Sequence, residues 1–158
     1  MKALLQRPGL LLLGIAVLSV AGVGAALVSQ HVYGMEPCPW CILQRVIFLA
    51  IALVCLVGFA STRIAGVLAL GLALCGVAAA LWQHFQAASS TSCALTLADR
   101  IVIATKLDSL WPDVFLARAS CADAAVTLMG ISYDLWSLAL FVVVGAMAAW
   151  VTLSPPRR

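Results

Sequence analysis

Two cysteines separated by two residues, Cys38 and Cys41, are the part of this chain best suited to chemistry. The sequence Cys-Pro-Trp-Cys brings two thiols within reach of each other, and at a helix start the unpaired N–H groups and the peptide dipole favour the thiolate. We expect redox exchange here, with the first sulfur presented to solvent. A static disulfide and half of a zinc site are the alternatives. Zinc needs further closely spaced ligands, whereas Cys93, Cys121 and His31 are scattered along the chain.

A second pair of cysteines, Cys93 and Cys121, lies in the longest polar segment of the chain. A bond between them would stabilise the fold by about 3–4 kcal/mol if it were purely structural. A pair on a long loop can also travel and exchange with another pair. The nearby dithiol motif favours this second interpretation.

Arg45 follows Cys41 by four residues, so on a helix both side chains project from one face about one turn apart. A guanidinium there can stabilise a thiolate or the anionic form of a reduced electron carrier. The alternative is an arginine that merely extends to the membrane surface. His84 is predicted at the same depth, where it can donate to a carrier's carbonyl, shuttle protons or simply be hydrated. Met35 and Trp40 are expected to border any pocket beside the dithiol.

The composition indicates an integral membrane protein. Hydrophobic residues make up 65% of the 158 residues and charged residues 9%, with a mean hydropathy of +1.13, whereas soluble domains have roughly 45–50% apolar and 25% charged residues. Four apolar segments are long enough to cross a hydrocarbon core of about 30 Å as helices, namely 9–28, 42–60, 64–82 and 135–153. The first exceeds the about 7–15 apolar residues of a signal peptide, so we predict a retained helix. Cys55 and Cys75 lie inside these segments and are predicted to serve packing.

The predicted fold class is therefore an all-α, four-helix transmembrane bundle in one integral membrane domain, residues 1–158. Its orientation follows from five basic residues that share one side of the spans with no acid: Lys2, Arg7, Arg63, Arg157 and Arg158. All six acids fall on the other side. Because lysine and arginine accumulate on the cytoplasmic side, both termini are predicted to be cytoplasmic. The loops 29–41 and 83–134 then face outward, where disulfides persist.

Within the long outward loop, apolar residues recur at steps of three and four: Leu97, Ile101, Ala104, Leu107 and Trp111. This spacing predicts an amphipathic helix that lies flat on the bilayer. A small soluble subdomain is the alternative, although few apolar residues remain to build its core.

A thiol pair that takes electrons from outward-facing proteins needs an acceptor held in the membrane, and a quinone fits that need. The sequence has no nucleotide-binding loop, haem motif or iron–sulfur cysteine run to serve instead. Two segments carry a further signal: Cys38-Pro-Trp-Cys41-Ile-Leu-Gln-Arg45 and Ala-Ser-Cys121-Ala-Asp. With Trp136 opening the fourth span, the chain resembles over nearly its whole length the disulfide bond formation protein B family (DsbB). These are quinone reductases that reoxidise the thioredoxin-fold oxidase DsbA.

The resemblance implies a function, a location and a role for each site residue. It implies a bacterial inner-membrane thiol:quinone oxidoreductase that uses ubiquinone or menaquinone, with a DsbA-like periplasmic oxidase as partner and no nucleic acid. The reduced partner would attack Cys93, Cys121 would then link to Cys38, and the freed Cys41 thiolate would donate to the quinone. Quinone contacts are implied for three residues: Arg45, Gln44 and His84. The family often has a basic residue where this chain has Ala79, a contact that His84 would have to replace.

Two other classes were weighed. A vitamin K epoxide reductase-like protein performs related chemistry on four helices, but in that family the loop cysteines precede the Cys-X-X-Cys motif, and here they follow it. A non-catalytic scaffold or small transporter would use its outward disulfides only as braces. A transporter is expected to show polar or broken helices near the bilayer midplane, and these spans carry little that is polar there.

Overall fold

A computed structural model describes residues 8–87 and 96–154 of the chain. The predicted exchange cysteine Cys93 lies outside these residues. In chain order the elements are α1 (Pro8–Tyr33), α2 (Pro39–Val57), a 3-10 turn (Gly58–Ser61), α3 (Thr62–Trp82), a π turn (Gln83–Ala87), α4 (Leu97–Thr105), α5 (Leu107–Leu110), α6 (Pro112–Phe115), the antiparallel strands β1 (Thr127–Leu128) and β2 (Ile131–Ser132), and α7 (Tyr133–Leu153).

Four helices, α1, α2, α3 and α7, are long and apolar enough to cross a membrane, with mean hydropathies of 2.0 to 2.5. The predicted four-helix membrane fold is thereby confirmed. Helix α1 continues to Tyr33, beyond the end of its apolar segment at Val28, because polar side chains can cap carbonyls within a continuing helix. The hydroxyl of Ser29 donates to the carbonyl oxygen of Ala25 at 2.9 Å. The helix stops only at Gly34, whose φ of 66° suits glycine.

The four long helices share one apolar core in which small residues allow close approach. A Cβ atom on Gly76 of α3 would lie 2.3 Å from the ring of Phe141 on α7, so only glycine fits at this crossing. The Phe141 ring in turn stacks on Phe48 of α2, with centroids 3.9 Å apart. Helices α2, α3 and α7 are thus held in fixed register, which sets the geometry at the end of the bundle that carries Cys38.

The segment between α3 and α7 folds against the start of α2. Helix α4 begins at a capping box, in which the Thr96 hydroxyl accepts the N–H of Asp99 and the Asp99 carboxylate accepts the N–H of Thr96. Ala98 and Val102 are buried against the first turn of α2. The amphipathic helix is shorter than the sequence predicted, since the left-handed backbone of Lys106 (φ 54°) ends α4 and starts a new turn.

Much of the predicted apolar stripe of this segment is exposed, although Leu107 packs against the cluster of Ile42, Val102 and Phe115. Leu97, Ile101 and Trp111 are 62%, 39% and 63% exposed. The alternative of a separate soluble subdomain does not describe this arrangement, because the buried residues of α4 pack on the membrane-spanning α2. Contact of the stripe with the bilayer surface stays a prediction.

Candidate functional site

The dithiol motif forms the first turn of α2. Pro39 occupies the first helical position, where its fixed φ suits the helix and its missing N–H costs nothing. Cys38 caps the helix, and its Sγ accepts the N–H of Cys41 at 3.3 Å. The two sulfur atoms lie 2.8 Å apart. The sequence places both thiols where a disulfide can form and break with little movement of the backbone.

From its position at a helix start we expected Cys38 to be presented to solvent. This prediction is wrong, because Cys38 is fully buried. Ala98 of α4 and Cys121 cover it. The segment just before Cys121 is held next to Cys38 by backbone hydrogen bonds. The N–H groups of Arg118 and Ala119 both donate to the carbonyl oxygen of Pro37, at 3.0 and 3.3 Å. Contacts between segments remote in sequence therefore decide which sulfur is accessible.

The buried thiol of Cys38 sets the protonation of its neighbour. Hydrogen bonds to Cys121 and Cys41, together with burial, raise the pKa of Cys38 far above the ordinary thiol value. The hydrogen bond donated by Cys38 lowers the pKa of Cys121, although partial burial opposes this effect. While both residues are thiols, Cys121 is thus the more readily ionised of the two, and its sulfur lies beside that of Cys38.

A cavity of about 240 Å³ opens beside Cys41. Its walls are mostly apolar and come from α1, α2, α7 and the loops beside them, and three of its polar residues lie close to Cys41: Gln44, Arg45 and Gln83. Met35 lines the cavity as predicted. Trp40 is not among the lining residues, because it is buried against Trp82 with ring centroids 6.4 Å apart. An apolar cavity with a few convergent polar groups is typical of a small-molecule site.

A chain of hydrogen bonds formed by two side-chain amides and one hydroxyl ends on the sulfur of Cys41. The Nε2 group of Gln83, on the π turn after α3, donates to Cys41 Sγ at 3.3 Å. Gln44 of α2 donates to Oε1 of Gln83 at 2.8 Å and accepts the hydroxyl of Ser137 on α7. Each link fixes the orientation of the next amide, so the Gln83 donor is aimed at the sulfur before any charge develops there.

Arg45 is buried, with 5% of its surface exposed, and does not extend to the membrane surface. One terminal nitrogen, Nη1, donates to Gln30 Oε1 of α1 and to the carbonyl oxygen of Val114 in α6, both at 2.8 Å. Nη2 donates to the carbonyl oxygen of Ala26 at 3.4 Å, and Nε has no partner in the part of the chain that the structure describes. Among the described residues no carboxylate pairs with this guanidinium. Its positive charge therefore remains available to an anion in the cavity that it lines.

His84 lies beside the cavity but not among its lining residues. Its Nδ1 pairs with the carboxylate of Asp134 at 2.7 Å, and Asp134, at the start of α7, does line the cavity. His84 is thus connected to the cavity through Asp134, and its expected contact with the carrier stays a prediction.

Sequence reasoning missed three polar residues of the site: Gln30, Asp134 and Ser137. Each lies at the end of an apolar segment, where a polar residue looks like an ordinary interface residue. Their only local signal was polarity next to a predicted span. Their partners lie on other helices, 15 to 93 positions away in the sequence.

Three neighbouring cysteines at one end of a four-helix membrane bundle, one of them facing an apolar cavity, define a membrane thiol–disulfide oxidoreductase. The sequence profile described as "Disulfide bond formation protein DsbB" matches residues 7–151. This chain belongs to the DsbB family, and is thus a multi-pass membrane protein of disulfide bond formation. The match favours the DsbB family over the vitamin K epoxide reductase-like family, which was the alternative from the sequence.

Characterised relatives carry the same name over most of their length. The chain is 33% identical over 144 residues to disulfide bond formation protein B of Herminiimonas arsenicoxydans, covering 88% of this chain and 90% of the relative. It is 37% identical over 145 residues to that of Pseudomonas syringae pv. tomato, covering 87% and 84%. Identity to the Acinetobacter baumannii protein is 30% over 143 residues, covering 84% and 83%.

Proposed function

We propose that this protein is a thiol:quinone oxidoreductase of the bacterial inner membrane that reoxidises a DsbA-like periplasmic dithiol oxidase. The observation that supports it most is the position of Cys41. Its sulfur lines an apolar cavity, accepts a hydrogen bond from Gln83 and lies one helical turn from Arg45, whose cation pairs with no carboxylate among the described residues. A thiolate at that point is both stabilised and open to an apolar oxidant.

The sulfur atoms form a relay for two electrons. In the proposed first exchange, a thiolate of the reduced partner attacks Cys93 in a Cys93–Cys121 disulfide, which forms one S–S bond and releases Cys121 as a thiolate. Cys121 then attacks Cys38 in the Cys38–Cys41 disulfide and releases the Cys41 thiolate. The contact between Cys121 and Cys38 supports the second exchange, since no large rearrangement is needed.

The residues at the cavity fit a quinone head group. Quinones offer a flat apolar ring with two carbonyl oxygens, and when bound they supply a two-electron acceptor. Phe48 and Leu140 contribute apolar wall, while Arg45 and Gln44 provide cation and amide groups next to Cys41. Arg45 would stabilise the negative charge that develops on a carbonyl oxygen of the quinone, as preorganised donors do in an oxyanion hole. The natural acceptor is ubiquinone or menaquinone, according to which quinone the membrane around the protein contains.

We place the dithiol at the outward face and both termini in the cytoplasm, in one integral membrane domain over residues 1–158. Charged residues of opposite sign at the two ends of the bundle support this orientation. Arg63, at the short connection between α2 and α3, lies at the end remote from the cavity, whereas Glu36 and Asp134 lie at the cavity end. Basic residues mark the cytoplasmic side.

The test is quinone-dependent oxidation of a DsbA-like dithiol protein by the purified enzyme in detergent, followed as loss of quinone absorbance. Cys41→Ser is expected to retain the mixed disulfide with the partner and to lose quinone reduction. Cys75→Ser, which changes an exposed cysteine of α3, serves as the matched control and is expected to turn over normally. Normal turnover of Cys41→Ser, or disulfides in the wild type that do not turn over with quinone, would return the protein to the scaffold class.

A further inference from the structure

A buried carboxylate, Asp134, reaches the cavity from the start of α7. Only 8% of its side chain is exposed, yet it lines the same cavity as Cys41. One carboxylate oxygen accepts the hydroxyl of Ser132 and the other pairs with His84 Nδ1 at 2.7 Å. Within the described residues, no arginine or lysine pairs with it. A buried acid that is matched only by a histidine can change its protonation without leaving an unpaired charge behind.

His84 connects this carboxylate to the surface of the protein. Its side chain is 33% exposed, compared with 8% for Asp134. The residue follows Trp82 on the π turn, at the end of the bundle that also carries Glu36 and Arg118. Two titratable groups in hydrogen-bond contact therefore span the distance from the exposed surface to the cavity.

The overall reaction requires such a connection. Oxidation of one dithiol by one quinone forms an S–S bond, breaks two S–H bonds, and moves two electrons and two protons to give a hydroquinone. The electrons travel as thiolates from sulfur to sulfur, so the protons of the partner's thiols are left in the outward aqueous phase. The two protons taken up in the cavity must then arrive by another route.

We propose that His84 and Asp134 form this proton route, with Asp134 as the donor to the acceptor in the Cys41 cavity and His84 reloading it from outward water. The proposal rests on the quinone-reducing function proposed above. Protons balance because each one delivered through Asp134 replaces one released by a thiol on the same side of the membrane. In this role Asp134 is a catalytic residue, and His84 is a positioning and relay residue.

Other titratable groups share the cavity and define the competing routes. They are Glu36 in the loop before α2, Cys41 and Arg45 on α2, and Tyr133 on α7. Arg45 is held by neutral acceptors and stays protonated. Cys41 must be a thiolate to donate electrons. Glu36 is exposed, and no ion pair within the described residues connects it to a second titratable group. It is the rival donor that an experiment has to separate from Asp134.

The first experiment compares Asp134→Asn, His84→Ala and Glu36→Gln in the full-length enzyme with partner and quinone. General acids typically contribute 10²–10⁴-fold, so Asp134→Asn is expected to lower kcat at least about tenfold, with a quinone KM within about twofold of wild type and a larger solvent deuterium isotope effect. Added imidazole is expected to restore kcat in His84→Ala. His31→Gln is the matched control, because His31 is an exposed histidine of α1 bonded only to the carbonyl oxygen of Leu27.

A second readout does not depend on turnover. In the quinone-free protein, at a pH low enough to protonate the Asp134 carboxylate, infrared spectroscopy follows exchange of the carboxyl proton after transfer to D2O, and His84→Ala is expected to slow that exchange while His31→Gln leaves it unchanged. Unchanged kcat in Asp134→Asn, failure of imidazole rescue, or a greater loss in Glu36→Gln than in Asp134→Asn would overturn the proton route. If the wild type itself reduces no quinone, the proposed function fails instead, and the infrared result alone then decides whether the two residues exchange protons.

Discussion

Replacement of Gln83 by leucine tests whether the amide chain controls the charge on Cys41. The substitution keeps a side chain of similar volume but removes the Nε2 donor 3.3 Å from Cys41 Sγ, and it also removes the acceptor of the Gln44 amide. Hydrogen bonds to charged groups contribute about 1.5–3 kcal/mol, and 1.4 kcal/mol corresponds to a factor of ten. Gln83→Leu is therefore expected to lower the thiolate population of Cys41 roughly ten- to hundredfold at a fixed pH near neutrality.

The assay uses the reduced, quinone-free protein and a neutral alkylating reagent, since only the thiolate reacts. Mass spectrometry then gives the alkylation rate at Cys41. Leu81→Ala is the control, because it alters a partly exposed side chain near the same end of α3 without removing a hydrogen bond to the sulfur. An alkylation rate in Gln83→Leu within about twofold of both wild type and Leu81→Ala would refute the role of the amide chain.

Two further predictions concern the thiol relay and the bundle. The hydrogen bond donated by Cys38 lowers the pKa of Cys121, so the Cys121 thiolate persists to lower pH than an ordinary thiolate and is lost as the pH falls through that lowered pKa. Cys38→Ala should therefore move the midpoint of Cys121 alkylation to higher pH. An unmoved midpoint would contradict the assignment. Gly76→Ala places a Cβ 2.3 Å from the buried ring of Phe141 and should destabilise the bundle by about 1–3 kcal/mol in a detergent unfolding titration. Gly71→Ala on the same helix meets nothing within 4 Å and should be nearly neutral, so equal losses in the two variants would argue against the close crossing.

The membrane spans could be predicted because a long apolar segment in lipid satisfies its backbone hydrogen bonds within itself only as a helix. The place of the dithiol could be predicted because Pro39 suits the first position of a helix. The burial of Cys38 could not, since it depends on α4 and on Cys121, which follow it by some sixty to eighty positions. Local patterns describe single elements, whereas this site is assembled from several.

The same limit applies to Arg45 and to the end of α4. From sequence, Arg45 is also compatible with a position at the membrane surface, and the acceptors on α1 and α6 fix it inside the protein. Helix α4 ends at Lys106, which has a left-handed backbone although such positions usually hold glycine or asparagine. The amphipathic pattern continues to Trp111, so it gives no sign of this break. Side-chain periodicity reports which face is apolar, but not whether the backbone stays helical between the residues of that face.

The central claim is that the sulfur of Cys41 meets a quinone in the apolar cavity, and an absorption spectrum of the protein purified with its quinone tests it most directly. In Cys38→Ser the Cys41 thiolate has no disulfide partner within the motif and is held next to the acceptor by Gln83 and Arg45. A visible charge-transfer band is predicted in that variant, and it should vanish when Cys41→Ser is added. The absence of any band in Cys38→Ser, or its survival in the double variant, would contradict the account.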